Sequence, residues 1–338
     1  MKAYDNNTIV LTGIKPTGRL HLGNYLGTIR PALERVHHHQ AYYFIADYHA
    51  LTTLRDPTRL NRLIDEAAAT WLALGLDPGQ VVFYRQSAVP EIFELAWILA
   101  CCTAKGLLNR AHAYKAAVED NRSAGRDPDA EINAGLYNYP VLMAADILAF
   151  ETSEVPVGRD QLQHVEMVRD MAATFNRIYG PVLKMPQALI RGQVETVTGL
   201  DGRKMSKSYG NEIPILAPQE EVRRLVKRIV TDSRRPVEPK DPETCNVFAI
   251  YRHFASLSEI EQVRQRYRQG GLAYHQIKEE LGTLLVEHFA PARRRFAELM
   301  DDRRRIAQIL ENGAAQARER ARRTLNRIRR AIGIDGNG

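Results

Sequence analysis

Apolar residues along the chain change their period three times. Ile9–Ile14 (IVLTGI) is a short β-rich run stopped by the breaker segment Lys15-Pro16-Thr17-Gly18, and the LHLGNYLGTIRPALERV that follows has helical spacing. This predicts strand, loop, helix. Ala41–Thr52 (AYYFIADYHALT) reads as a second buried strand leading into a polar loop, Asn61–Leu74 as an amphipathic helix closed by Gly75, and Gln80–Arg85 as a third strand. Strands alternating with helices predict an α/β fold with a doubly wound parallel sheet. From Pro90 to Tyr179 the pattern is mostly helical, interrupted by the polar stretch Asn121–Glu131, which predicts a helical insertion at about 90–180 between two halves of the sheet. Beyond Pro218 only helix periods occur, broken at Pro236–Pro242 and at Gly270-Gly271. The boundary falls near Ile215–Gln219, giving an α/β domain over 1–217 and an all-helical domain over 218–338.

Composition narrows the class. With 338 residues, 44% hydrophobic and 26% charged, the chain has a globular balance that excludes fibrous, disordered and disulfide-scaffold proteins. It has no run of 18 apolar residues and its start lacks the pattern of a signal peptide, so a cytoplasmic protein with no membrane partner is expected. The three cysteines have no CxxC spacing and are expected reduced and mostly buried. His37-His38-His39 cannot all face one site on a helix, so no metal site is expected there. The net charge of +7 is unevenly placed: residues 1–218 hold 22 basic and 23 acidic residues, whereas Arg293–Arg330 alone holds 13 arginines and 5 acids. Such an arginine-dense helical end suggests a polyanion, nucleic acid first, or else a solvated helix face or intrachain pairs.

Two motifs carry chemistry. Gly13–Gly18, followed by Arg19-Leu20-His21-Leu22-Gly23-Asn24, lies between a strand and a helix, where open α/β sheets bind ligands. Helix amides there can meet a phosphate, and His21 and Asn24, three apart, share a face. Taken alone, the segment also reads as a Gly/Pro turn with Asn24 as a polar cap. The second motif is Asp201–Gly210 (DGRKMSKSYG), whose Lys204 and Lys207 can neutralise a polyphosphate while Ser206 and Ser208 donate to it. Alone, it also reads as plain surface.

Together, HLGN and KMSKS resemble the two ATP-binding motifs of class I aminoacyl-tRNA synthetases, in the expected order. KPTGRLHLGNYLG, ADYHALT, YPVLMAADIL and VPVGRDQLQHVEMVRDMAATFN resemble the tryptophanyl-tRNA synthetases within the tyrosyl/tryptophanyl subgroup, and the resemblance runs through most of the chain. It implies a Rossmann-type catalytic domain that joins L-tryptophan to ATP, with Mg2+ bound through the ATP phosphates, and passes tryptophan to tRNA(Trp). It further implies a homodimer whose C-terminal helical domain reads the anticodon. The catalytic positions implied are His21, Asn24, Lys115, Lys204 and Lys207. ATP would meet Lys15, Pro16, Thr17, Gly23, Asn24, Gly158, Arg159, Asp160, Val197, Lys204, Met205, Ser206, Lys207 and Ser208. Asp146 would accept the indole N–H, Tyr139 and Gln161 would hold the amino group, and Met143, Val155, Val157 and His49 would complete the tryptophan pocket. Two residues depart from the family pattern: Arg159 stands where many relatives have Glu, and Lys15 where Gln is common. A tyrosyl-tRNA synthetase and a non-charging RNA-binding paralogue are the rival readings.

Overall fold

The fold is that of a computed structural model, which describes residues 8–36, 39–158, 161–190 and 197–334. His37, His38, Arg159 and Asp160 lie outside the described residues. Five parallel strands, β1 (Ile9–Ile14), β2 (Gln40–Ile45), β3 (Val81–Arg85), β4 (Glu154–Val157) and β5 (Gln187–Ile190), form one sheet in the order β3-β2-β1-β4-β5. β1 pairs with β2 from Ile9↔Gln40 to Ile14↔Ile45. Both faces of the sheet are covered, which is why β1 and β2 read as near-continuous apolar runs rather than alternating ones. The chain crosses from β1 to β2 through α1 (Leu22–Asn24), a π-helical turn (Tyr25–Ile29) and α2 (Arg30–Arg35). After β2 come α3 (Asp47–Ala50) and α4 (Pro57–Ala73). α4 starts four residues before the predicted Asn61, because Asp56 accepts the Arg59 N–H and Pro57 suits the first turn.

The helical insertion is shorter than the sequence suggested. α5 (Glu91–Cys102), α6 (Lys105–Leu108), α7 (His112–Ser123) and α8 (Ala134–Leu148) form it, and β4 then enters the sheet inside the stretch read as helical. β4 is only four residues long and contains Pro156, so it offers little strand signal. α9 (Leu162–Tyr179) returns the chain to β5.

The C-terminal helices are α10 (Gln219–Lys227), α11 (Asn246–Tyr251), α12 (Leu257–Gln269), α13 (Tyr274–His288), α14 (Ala290–Asp301) and α15 (Arg303–Ile332). One apolar core runs from Ile14 of the sheet through Val226 and Phe248 to Leu310, so the change of composition near 217 is not a seam in the packing. α15 lies directly on β3. Its buried stripe, Ile306, Leu310, Gly313, Ala317, Ala321, Leu325 and Ile328, keeps three- and four-residue spacing with small residues in the middle. Gly313 is required: a Cβ there would stand 1.9 Å from the Phe83 carbonyl oxygen.

The arginines of this helix largely find partners within the chain. Arg318 and Arg322 reach Glu91 at 3.3 and 2.7 Å, and Arg327 reaches Glu151 at 2.7 Å. Arg320 bonds the Phe150 carbonyl at 2.9 Å and Glu151 at 3.3 Å, Arg329 holds Glu94, and Arg323 pairs with Glu319 one turn before it. Much of the basic excess at this end therefore staples α15 to α5 and to the corner after α8, which is the intrachain pairing weighed against a polyanion partner. The cysteine expectation also needs correction: all three are free, but only Cys245 is buried, while Cys101 is exposed at the end of α5.

Gly313→Ala tests the seat of α15. The overlap involves backbone, which no rotamer relieves, so a loss of about 3 kcal/mol is expected. In a thermal melt this is a fall of roughly 5–10 °C; an unchanged midpoint would remove α15 from β3.

Candidate active site

A cleft of about 1210 Å³ opens at the carboxyl ends of β1 and β4. β1 is followed outward by β2 on one side and β4 on the other, which makes this the switch point of the sheet. Its phosphate-sized end is built by Gly13, Lys15, His21, Gly23, Asn24, Gly27 and Thr28. Gly13 is needed where it stands, since a Cβ would meet the Phe44 ring at 2.5 Å. His21 is extended (φ −120°, ψ 171°) and opens the helical run. Its N–H donates to Asn24 Oδ1 at 3.1 Å, which leaves the Asn24 amide group as a donor, and the Leu22 N–H bonds the Ile213 carbonyl at 3.0 Å. The His21 ring is only 6% exposed and its Nδ1 has no protein partner. Burial, then the positive charge of Lys207, holds its pKa down at about 4, so the ring is neutral at pH 7.

The KMSKS loop is shaped by one buried amide. Asn211 donates to Asp201 Oδ1 at 2.6 Å and to the Lys204 carbonyl at 3.2 Å, and accepts the Ser206 N–H at 2.8 Å. Gly199 leaves room for it: a Cβ would lie 2.3 Å from the Asn211 side chain. The Asn211 N–H also keeps the exposed Asp201 carboxyl low, at about 2. Met205 is buried and its N–H bonds the Val197 carbonyl at 2.8 Å. Lys207 Nζ then reaches across to the Gly18 carbonyl at 3.0 Å, so the two motifs, 189 residues apart, touch. Burial lowers the Lys207 pKa. Lys204, Ser206 and Ser208 line the cleft beside it.

The other end of the cleft is mostly apolar, with Phe44, Met143, Tyr139, Val155, Val157, Gly158 and Gln161 around Asp146. Asp146 is 1% exposed. Gln86 Nε2 lies 2.9 Å from both of its oxygens and His49 Nε2 lies 2.9 Å from Oδ2. Burial raises the carboxyl pKa and the His49 contact opposes this. The Tyr139 hydroxyl is 2.6 Å from His164 Nε2.

Most expected residues therefore converge. Lys15 also lines the cleft, with Nζ donating to Thr52 Oγ1 at 2.9 Å, and Thr52 in turn bonds the His49 carbonyl. Lys115, on α7, is exposed and does not line the cleft, and neither do Pro16, Thr17 or the Lys207 side chain. Gln86, Thr52 and His164 belong to the site without having been expected. Gln86 alone carried a usable signal, as a polar residue directly after a buried strand.

Sheet, helix-opening His21–Asn24 turn and lysine-serine loop in this arrangement define a nucleotide-activating α/β enzyme of the class I synthetase type. The chain belongs to the tRNA synthetases class I (W and Y), the family whose model matches residues 2–290. It is 51% identical over 332 residues to the tryptophan–tRNA ligase of Pseudomonas aeruginosa, covering 97% of this chain and 74% of that protein. To the tryptophan–tRNA ligase of Xanthomonas axonopodis it is 50% identical over 331 residues, covering 97% and 76%. The tryptophanyl-tRNA synthetase of Campylobacter jejuni, solved with ADP and tryptophan, superposes with a TM-score of 0.88 at 42% identity, over 96% of this chain and 100% of that one.

The depressed His21 pKa fixes a pH dependence. Between pH 6.5 and about 4 the unfolded chain takes up a proton that the folded ring refuses, so folding stability is full above 6.5 and falls on acidification. The His21 share of that fall is roughly 3 kcal/mol at most. Urea unfolding of wild type and His21→Asn at pH 7 and pH 4.5 should show a shallower loss in the variant; equal losses would mean the ring is not buried as described.

Proposed function

We infer that this chain is a tryptophan–tRNA ligase: it activates L-tryptophan with ATP to tryptophanyl-adenylate and diphosphate, then transfers tryptophan to the 3′ end of its tRNA. The observation that carries the reading is Asp146, a buried carboxylate fixed by Gln86 and His49 among the mostly apolar lining of a cleft that also holds the His21–Asn24 turn. It suits an aromatic ligand with one ring N–H. In the first step a tryptophan carboxylate oxygen attacks the α-phosphorus, the bond to the bridging oxygen breaks, and diphosphate leaves. In the second, the terminal ribose hydroxyl attacks the acyl carbon and AMP leaves. Neither step needs a covalent protein nucleophile, so positioning and charge stabilisation do the work.

In this reading His21 and Asn24 donate to the phosphates, Lys204 and Lys207 meet charge growing on the departing diphosphate, and Lys15 adds a third cation. Ser206, Ser208 and the main chain at Val197 and Met205 border the nucleotide, with Gly158 at the ribose. Tyr139, Gln161 and Met143 border tryptophan. Lys115, Arg159 and Asp160 keep the roles implied by family resemblance. The phosphate end offers lysines and amides rather than carboxylates, a donor set that suits Mg2+ carried on ATP rather than held by the chain.

The chain works as a homodimer in the cytoplasm. Phe93, Trp97 and Cys101 follow one another at four-residue steps on α5, Trp97 is 73% exposed, and Tyr48 packs on Phe93 at 4.3 Å beside the half-exposed Leu51. Such an apolar face supports docking of a second copy. No described helix is long and apolar enough to cross a membrane. The helical part over 218–338 contacts the tRNA while 1–217 performs activation.

ATP–diphosphate exchange across the amino acids tests the reading: tryptophan should support it well above tyrosine and phenylalanine, and a tyrosine preference would overturn it. Asp146→Ala should lower kcat/KM for tryptophan by about 10–100-fold, the equivalent of 1–3 kcal/mol for an unpaired buried donor. Unchanged kinetics would remove Asp146 from the pocket. Lys207→Ala should depress the exchange rate more than it raises the KM for ATP, because its partner's charge grows in the transition state. A change in ATP KM alone would make the loop a binding element only.

A further inference from the structure

The His21–Asn24 turn does not continue into an ordinary α-helix. The next five residues, Tyr25–Ile29, form a π-turn closed by the Arg30 N–H bonding the Tyr25 carbonyl. A π-turn holds one residue more than an α-turn, is intrinsically unfavourable, and persists where tertiary contacts hold it. Here it shapes the cleft: Gly27 and Thr28 line the phosphate end, while Tyr25, Leu26 and Ile29 face the core.

The strongest of those contacts come from the C-terminal helices. The Tyr25 ring stacks against Phe254 at 6.2 Å and meets Phe289 edge-on at 5.0 Å. Its hydroxyl lies 3.2 Å from Nε2 of His288, the last residue of α13, and the His288 ring packs edge-on against Phe254. Arg30, which closes the turn, donates to the His253 carbonyl at 3.0 Å. Tyr25 is therefore tied to both corners, α11–α12 and α13–α14, and Arg30 to the first of them.

We propose that Tyr25 is a positioning residue for nucleotide activation: through its hydrogen bond to His288 it holds the π-turn, and the turn sets the angle at which Asn24 and Thr28 face the ATP phosphates. The inference rests on the reading of the cleft as an ATP site. Tyr25 touches no substrate and acts only through the residues on either side of it. Tyr25→Phe keeps the ring and its aromatic partners and removes only the hydroxyl, so the turn gains freedom to relax towards α-helical register.

The test uses the full chain in ATP–diphosphate exchange, with ATP and tryptophan titrated separately and a thermal melt beside each variant. Tyr25→Phe should lower kcat about tenfold and leave the KM for tryptophan within twofold, with the melting midpoint within a few degrees of wild type. His288→Leu should do the same, and the double variant should be no slower than either single one, because both remove one bond. Unchanged exchange in Tyr25→Phe overturns the proposal. So do losses that multiply in the double variant, or a rate loss that follows a large fall in midpoint. His288→Gln, which restores a polar partner, should recover part of the lost rate, and no recovery relative to His288→Leu also counts against it. A wild-type chain inactive with every amino acid would instead overturn the function on which the inference rests.

Discussion

A carboxylate at 1% exposure must have its charge met by fixed donors, and the way Asp146 is met organises the cleft. The three members of this cluster come from separate segments: Asp146 from α8 of the insertion, His49 from α3 after β2, and Gln86 from the 3-10 turn after β3. The buried cluster thus ties the insertion to the carboxyl ends of two strands. It also orients the carboxylate, since Gln86 reaches both oxygens and His49 only one. Leaving any of the three unpaired inside an apolar pocket costs more than a surface contact does, so the network specifies one arrangement.

The phosphate end has the opposite electrostatics. His21 is neutral, and Lys207 rests its ammonium on a carbonyl of the facing motif rather than on a carboxylate. Asn211 holds the loop by amide bonds alone, apart from its contact with Asp201. The basic C-terminal end behaves differently. On α15 half of the ten arginines are matched to Glu91, Glu94, Glu151 or a carbonyl, and Glu91 is nearly buried, which makes its pairs stronger than ordinary surface pairs. Arginine count along a sequence therefore overstated the charge available to a partner.

β1, β2 and β3 were legible because strands buried on both faces leave unbroken apolar runs. β4 was not: four residues with a proline are too short to show a period, although the strand sits beside β1 at the centre of the site. The His21–Asn24 and KMSKS segments were legible as chemistry through glycines and lysines at loop positions, and Gly13, Gly18 and Gly199 each meet a close approach or a positive φ. Gln86, Thr52 and His164 were not, because what makes them part of the site is contact with residues 25 to 60 positions away or the lining of a shared cleft, which no local pattern records. The π-turn was read as plain helix for the same reason, since its cause lies in Phe254, His288 and Phe289.

On the proposed reading, these features let one cleft serve an apolar ring and a polyanion. At the aromatic end Asp146 is held by donors from two separate segments, Gln86 and His49, so a bound ring need reorder little. At the phosphate end, on the same reading, an anionic oxygen arriving at Lys207 replaces a neutral carbonyl acceptor with a charged one, adding ion–ion attraction to a bond already assisted by the lysine's charge. That exchange favours the anion most where its charge is greatest, on the departing diphosphate, and burial of the lysine sharpens the difference by lowering the local dielectric. In the proposed role, the neutral His21 adds a donor there without a fixed charge that would hold diphosphate after it forms, so such a site stabilises charge as it develops and still releases it.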